Sequence, residues 1–135
     1  MKILLVDDDP VSLAVLQQIL AVVGGHQVTA TSDARSAWDL LDNPARYFDV
    51  AFIDISMPEV DGFQLLHRIR QNPLLASVEV VICTGSKDRP TLAKAIKLGV
   101  RHYLVKPCTK EIVQAKLNQI RPPDPKAERQ LIGAA

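Results

Sequence analysis

The chain has 135 residues, 47% of them apolar and 23% charged, with a net charge of +1 at pH 7. That is one domain's worth of polypeptide, long enough to bury a core, with the composition of an ordinary globular protein. The balance excludes a generally basic nucleic-acid binder and an acidic disordered chain, and no apolar run approaches the ~20 residues of a membrane helix.

Three largely continuous apolar runs read as strands buried on both faces: "ILLV" at 3–6, "VAFIDI" at 50–55 and "VEVVIC" at 78–83. Between the first two, Leu13, Leu16, Leu20 and Val23 follow helical spacing, and Gly24-Gly25 stop that helix. The weaker strand "QVTAT" follows, then a short helix with Ala37, Leu40 and Leu41 that ends before Pro44. Leu65, Leu66 and Ile69 mark a third helix. Leu92, Ala95 and Ile96 mark a fourth, closed by Gly99. "RHYLV" is a fifth strand, and Val113, Leu117 and Ile120 a last helix. Five βα units predict an α/β fold with a five-stranded parallel sheet and helices on both faces. After Ile120, "RPPDP" ends the domain, giving residues 1–120 as the globular unit and 121–135 as a proline-rich tail or linker.

Ligands of open α/β sheets sit at the carboxyl ends of the strands. The first strand ends in Asp7-Asp8-Asp9, the third reaches Asp54, the fourth ends in Thr84-Gly85 and the fifth in Lys106-Pro107. Adjacent carboxylates repel by ~4 kcal/mol per pair at 4 Å and an effective dielectric of ~20, a cost that a helix cap, a cation or a solvated loop would account for. An unpaired carboxylate at a buried strand end is expensive, which singles out Asp54. Asp9 differs from its neighbours. It precedes Pro10 and a helical pattern, the signature of an N-cap with proline at the first helical position. Asp61 in "VDGF" reads as a turn or cap residue. Gly85, lacking a side chain, leaves room beside Thr84.

These motifs together, "LLVDDDP", "FIDISMPEVDGF", "VICTG" and "YLVKP", resemble the receiver domain of a two-component response regulator over residues 1 to about 120. The resemblance implies a flavodoxin-like doubly wound fold of strand order 2-1-3-4-5, for which the chemotaxis member of the family is the standard example. It implies a phosphoacceptor switch, not a conventional enzyme. Asp54 would take a phosphoryl group from a histidine kinase phosphohistidine as a carboxylate nucleophile. Asp8 would ligate Mg²⁺ (or Mn²⁺) directly, and Asp7 mainly through water. Asp54 and the backbone carbonyl of Ser56 would complete the protein ligands. Lys106 and Thr84 would contact phosphoryl oxygens, charge neutralisation and positioning being most of what phosphoryl transfer needs. Pro107 corresponds to the family's cis-proline, Ser56 and Ser86 to positions that tune water access to the acyl phosphate. Thr84 and Tyr103 correspond to a switch pair that alters the surface of the fourth helix, fifth strand and fifth helix, where a downstream partner or output domain binds. The donor would be a sensor kinase or histidine phosphotransfer protein, with no direct contact to nucleic acid or membrane.

Two features depart from the pattern. Arg101 and His102 stand where one large DNA-binding subfamily carries acidic residues, which argues against that dimer mode. Cys108 follows Pro107 where an aromatic or apolar residue is common, leaving a redox role open. Residues 1–62 hold ten acidic and three basic side chains, and residues 86–121 hold two acidic and nine basic. The second segment is either a solvated face or a docking surface for an acidic partner. His26, His67 and His102 are scattered, and none has a phosphodonor setting. Met1-Lys2 leads straight into a strand, so no signal peptide is expected. Cys83 and Cys108 imply no disulfide framework, and a cytoplasmic location is expected. Two rivals compete. One is a haloacid-dehalogenase-like phosphatase, with Asp7 as nucleophile and Asp9 as acid/base; it lacks the later acidic pair and leaves "DISMPEVDG" unexplained. The other is a receiver-fold binding module that works without phosphorylation.

Overall fold

The computed structural model describes residues 1–55, 62–85 and 89–121. Its strands are β1 (Lys2–Val6), β2 (Gln27–Thr31), β3 (Val50–Asp54), β4 (Glu79–Thr84) and β5 (His102–Val105). The helices are α1 (Pro10–Val23), α2 (Ala34–Leu41), α3 (Gly62–Gln71), α4 (Arg89–Lys97) and α5 (Lys110–Ile120). All strand pairs are parallel, in the order β2-β1-β3-β4-β5. The chain runs outward from β1 to β2 and then returns past β1 to β3, so the order reverses between β1 and β3. That reversal opens a crevice at the strands' carboxyl ends.

Side-chain alternation along each strand splits the core into two layers. On one side Leu4, Val6, Ala51, Ile53, Val80 and Ile82 pack against α2, α3 and α4 through Ala37, Leu41, Leu66, Ile69 and Ala95. On the other, Ile3, Leu5, Val50, Phe52, Val81 and Cys83 meet α1 and α5 through Leu16, Leu20, Val113 and Leu117. β3 is buried along its whole length, which is why it reads as an unbroken apolar run. Each large aliphatic side chain so enclosed contributes roughly 1.5–3 kcal/mol relative to exposure.

The expected helix signals are satisfied by specific bonds. Asp9 caps α1, accepting from the Val11 amide at 3.1 Å and the Ser12 hydroxyl at 2.9 Å. Asp33 does the same for α2 through the Ser36 amide at 2.7 Å, and Thr109 for α5 through the Ile112 amide at 3.3 Å. Gly24, at φ 79°, ends α1 with its amide on the Leu20 carbonyl.

One local reading changes and one element is added. Ile96 is not part of the inner face of α4: Ala95 is fully buried and Ile96 is 57% exposed. Neighbours in a helix point about 100° apart, so with Ala95 facing the sheet Ile96 must turn away. A 3₁₀ turn at Pro73–Leu75, capped by Asn72, carries the chain into β4 and has no periodic signature. Ser56, Asp61, Ser86, the side chain of Leu92 and residues 122–135 lie outside what is described, so the tuning positions and the tail remain sequence expectations.

Candidate functional site

Register brings the strand ends level. Val6 pairs with Ile53, Ile53 with Ile82, and Thr84 with Val105. The next residues along β1 and β5 are therefore Asp7 and Lys106, beside Asp54 at the end of β3. Asp54 follows Val50 and Phe52 in the two-residue alternation, so it lies on the α1–α5 side of the sheet. Cys83 and Leu104 face the same side. Two residues beyond Leu104, Lys106 reaches back toward the carboxylates.

Asp7, Asp8 and Asp54 offer carboxylate oxygens that all lie within 4.8 Å of one another. Asp7 is 2% exposed and Asp54 5%, while Asp8 is open to solvent. Lys106 Nζ donates to Asp7 Oδ2 at 2.7 Å and to Asp54 Oδ2 at 3.3 Å. Asp7 Oδ1 also accepts the Asp9 amide at 2.9 Å. Thr84 is buried beside this group, and its carbonyl accepts the Lys106 amide at 2.9 Å, tying the two strand ends together. The Lys106–Pro107 peptide is cis.

Burial acts on both charges of the Asp7–Lys106 pair. Burial raises the Asp7 carboxyl above its ordinary value, against the lowering pull of Lys106 and the Asp9 amide. Burial opposes the Lys106 charge as well, yet the bonds and fields of Asp7 and Asp54 prevail and its pKa rises. Among the described residues, three carboxylates face the one ammonium of Lys106. The donors are hard oxygens at a half-open rim, which fits a divalent cation that keeps some of its water and disfavours thiophilic metals.

Gly62, at the first turn of α3, holds the β3 end in place. A Cβ there would sit 2.5 Å from the Asp54 carbonyl oxygen and 2.6 Å from Ile55 Cα. Only glycine permits this approach of helix to strand. At Gly85, which leaves room beside Thr84, an added Cβ would meet nothing within 4 Å among the described residues. Asp49 was also missed. Its carboxylate accepts the Lys2 amide at 2.8 Å and Arg121 Nη2 at 3.0 Å, pinning β1 and the end of α5 to the start of β3.

Residues 3–118 match the sequence pattern of the response regulator receiver domain. The chain belongs to the response regulator receiver family. It is 28% identical to the chemotaxis protein CheY1 of Helicobacter pylori over 120 residues, which cover 89% of this chain and 96% of that protein. It is 37% identical to the two-component response regulator ORR21 of Oryza sativa over 111 residues, 82% of this chain but 16% of the relative. The chain thus spans about a sixth of the length of the larger relatives. Among solved structures, the signal receiver domain of an HD domain-containing protein from Pseudomonas fluorescens superposes with a TM-score of 0.78 at 34% identity, covering 88% of this chain and 92% of that one.

Receiver domains are phosphoacceptor signalling switches of two-component systems, and that is the role of this chain. The phosphatase reading loses its support. Asp9, its supposed acid/base, is turned into the α1 cap, which also lowers its pKa through the Ser12 and Val11 bonds. Among the described residues no helix is long and apolar enough to cross a membrane.

Other expected residues are placed as follows. Tyr103 is 44% exposed on the edge strand β5. Arg101 bonds Glu79 at 2.8 Å, while His102 Nε2 lies 3.9 Å from the same carboxylate and burial lowers the pKa of that imidazole. Cys83 and Cys108, which look unrelated in sequence, belong to the same apolar layer of the sheet. The influence of Cys83 holds the Cys108 thiol down, to about 7, and that of Cys108 together with burial pushes the Cys83 thiol up.

Proposed function

We propose that Asp54 is the phosphoacceptor, and that Asp7, Asp8 and Asp54, with the Ser56 carbonyl, hold Mg²⁺ or Mn²⁺. The observation that carries this reading is the convergence of three carboxylates within 4.8 Å of one another, with Lys106 bridging Asp7 and Asp54. When bound, the cation supplies charge neutralisation for the phosphoryl group and for the carboxylates around it. Asp54 Oδ attacks phosphorus, the P–N bond to the donor histidine breaks, and the imidazole leaves. Lys106 exchanges part of its carboxylate contact for a phosphoryl oxygen, and the Thr84 hydroxyl donates to another. Thr84 moving toward the phosphoryl group frees space for Tyr103 to turn inward, which alters the face of α4, β5 and α5. Attack by water on phosphorus returns the carboxylate, with Ser56 and Ser86 controlling its access.

The donor in this reading is a sensor histidine kinase or phosphotransfer protein, and the location is the cytoplasm. Residues 1–120 act as the receiver, and 121–135 as a tail or a link to an output. Incubation with acetyl phosphate or beryllofluoride and Mg²⁺ should give one adduct at Asp54, lost on chelation and in Asp54→Asn. Full labelling of Asp54→Asn would overturn the assignment. Failure of the wild type to take up either reagent would favour a binding module that works without phosphate.

A further inference from the structure

We propose that the groove between α3 and α4 is a docking surface for an acidic segment of a partner protein, one that presents an apolar side chain between carboxylates. The groove has a volume of about 520 Å³. Phe63, Gln64, His67 and Arg68 line it from α3, and Lys94 and Leu98 from α4 and the residue that follows its end. Its floor is apolar, since Phe63 and Leu98 are half-buried and pack on the core layer beneath. Arg68 and Lys94 are exposed at its sides.

Both of these cations rest on aromatic rings instead of carboxylates. Lys94 Nζ lies 4.4 Å from the centre of the Phe63 ring, and the Arg68 guanidinium carbon 4.7 Å from that of Trp38. Such contacts hold the side chains in place and leave their charge uncancelled. Among the described residues, none of Arg68, Arg70, Lys94 and Lys97 forms an ion pair, whereas Arg101, Lys106 and Arg121 all do. Neither helix contains an acidic residue, and each carries two cations in its last turn. The negative ends of the helix dipoles make those cations tolerable there. Asp61 and Asp88, the nearest acids in sequence, come before the first turns.

The groove thus offers an apolar floor between fixed, unpaired cations, and its complement is an apolar side chain flanked by carboxylates. Grooves between helices receive amphipathic segments in this way, and complementary charge steers and selects them. A nucleic acid suits the surface less. The cations occupy the ring faces on which a base would stack, and the whole chain carries a net charge of only +1. The surface lies on the α3 flank of α4 and not on the β5 flank, and docking there does not depend on the phosphoacceptor assignment.

The probe is a fluorescein-labelled peptide of Glu and Asp with a central Leu-Phe pair, titrated with the full chain and followed by fluorescence anisotropy. Binding should weaken as salt is added, and amide shifts in heteronuclear NMR spectra should fall on α3 and α4. The double variant Arg68→Gln, Lys94→Gln should bind about tenfold or more weakly, with folding checked by circular dichroism. Lys110→Gln, which removes a cation from α5, should stay within about twofold of wild type. Replacing the acids of the peptide by Gln and Asn, or its Leu-Phe pair by serines, should each cost about tenfold. Absence of binding, equal binding by the double variant, or shifts confined to other elements would overturn the docking surface. Tighter binding of a labelled oligothymidylate than of the acidic peptide would overturn the partner and make this face a nucleic-acid surface.

Discussion

Lys106 bonds Asp7 more closely than Asp54, at 2.7 Å against 3.3 Å, so one ammonium bridges two buried carboxylates with the tighter contact on the β1 side. The lysine therefore competes with a cation for Asp7. Removing its charge should strengthen metal binding while removing a phosphoryl contact. For Lys106→Met we expect Mg²⁺ affinity by calorimetry to rise about tenfold, the equivalent of ~1.4 kcal/mol. Acetyl phosphate labelling should fall by about 10²-fold. Weaker or unchanged Mg²⁺ binding would show that Lys106 organises the carboxylates instead of competing for them.

A carboxyl raised by burial is a cost to the folded state. For Asp7 that cost appears as pH rises past its ordinary value of 3.8 and through its raised folded value, so at neutral pH the metal-free chain carries it in full. Asp7→Asn should accordingly raise the melting temperature in the presence of a chelator by a few degrees, or about 1 kcal/mol. Millimolar Mg²⁺ should stabilise the wild type and leave Asp7→Asn much less affected. Equal Mg²⁺ stabilisation of both proteins would remove Asp7 from the metal site.

Gly62→Ala should be among the most damaging single-methyl changes in the chain. The new Cβ would collide with the Asp54 carbonyl oxygen and Ile55 Cα, both backbone atoms with no rotamer to yield. A loss of about 2 kcal/mol or more in urea unfolding is expected. The surviving folded protein should label poorly at Asp54, because relief of the clash moves the end of β3. Gly85→Ala, where an added Cβ meets nothing, is the control and should leave stability within about 0.5 kcal/mol of wild type.

Asp49 sets an acid limit. Burial pushes its carboxyl up, but the Lys2 amide and Arg121 pull harder and the net shift is downward. A lowered carboxyl contributes stability that is present above its unfolded value, near 3.8, and lost as pH falls through its folded value. Asp49→Asn should cost about 1 kcal/mol at pH 7 and progressively less below pH ~4, measured by denaturant unfolding across pH. A cost that is the same at both ends of that range would mean that the amide and guanidinium bonds do not depend on its charge.

Much of the fold was legible because its elements carry local signals. β2 coincides with the run "QVTAT", and the other strands fall within a residue or so of their apolar runs, those of β1, β3 and β4 being almost continuous because these strands are buried on both faces. Asp9, Gly24 and Gly25 announced the limits of α1 through cap chemistry that acts within a few residues. Ile96 misled because helical spacing names a face only when its centre is known, and the centre is Ala95. The turn at Pro73–Leu75 is too short to show any period.

The residue sequence by itself determined the five βα units, the acidic ends of β1 and β3, and the hydroxyl and ammonium at the ends of β4 and β5. Each depends on side chains close in the chain. Only tertiary structure decided that Lys106 spans 99 residues to meet Asp7, that Gly62 lies against Asp54, and that Asp49 clasps both Lys2 and Arg121. It also decided that Cys83 and Cys108 belong to one apolar layer. These contacts follow from parallel register and two-residue alternation, which set residues distant in sequence side by side on one face of the sheet.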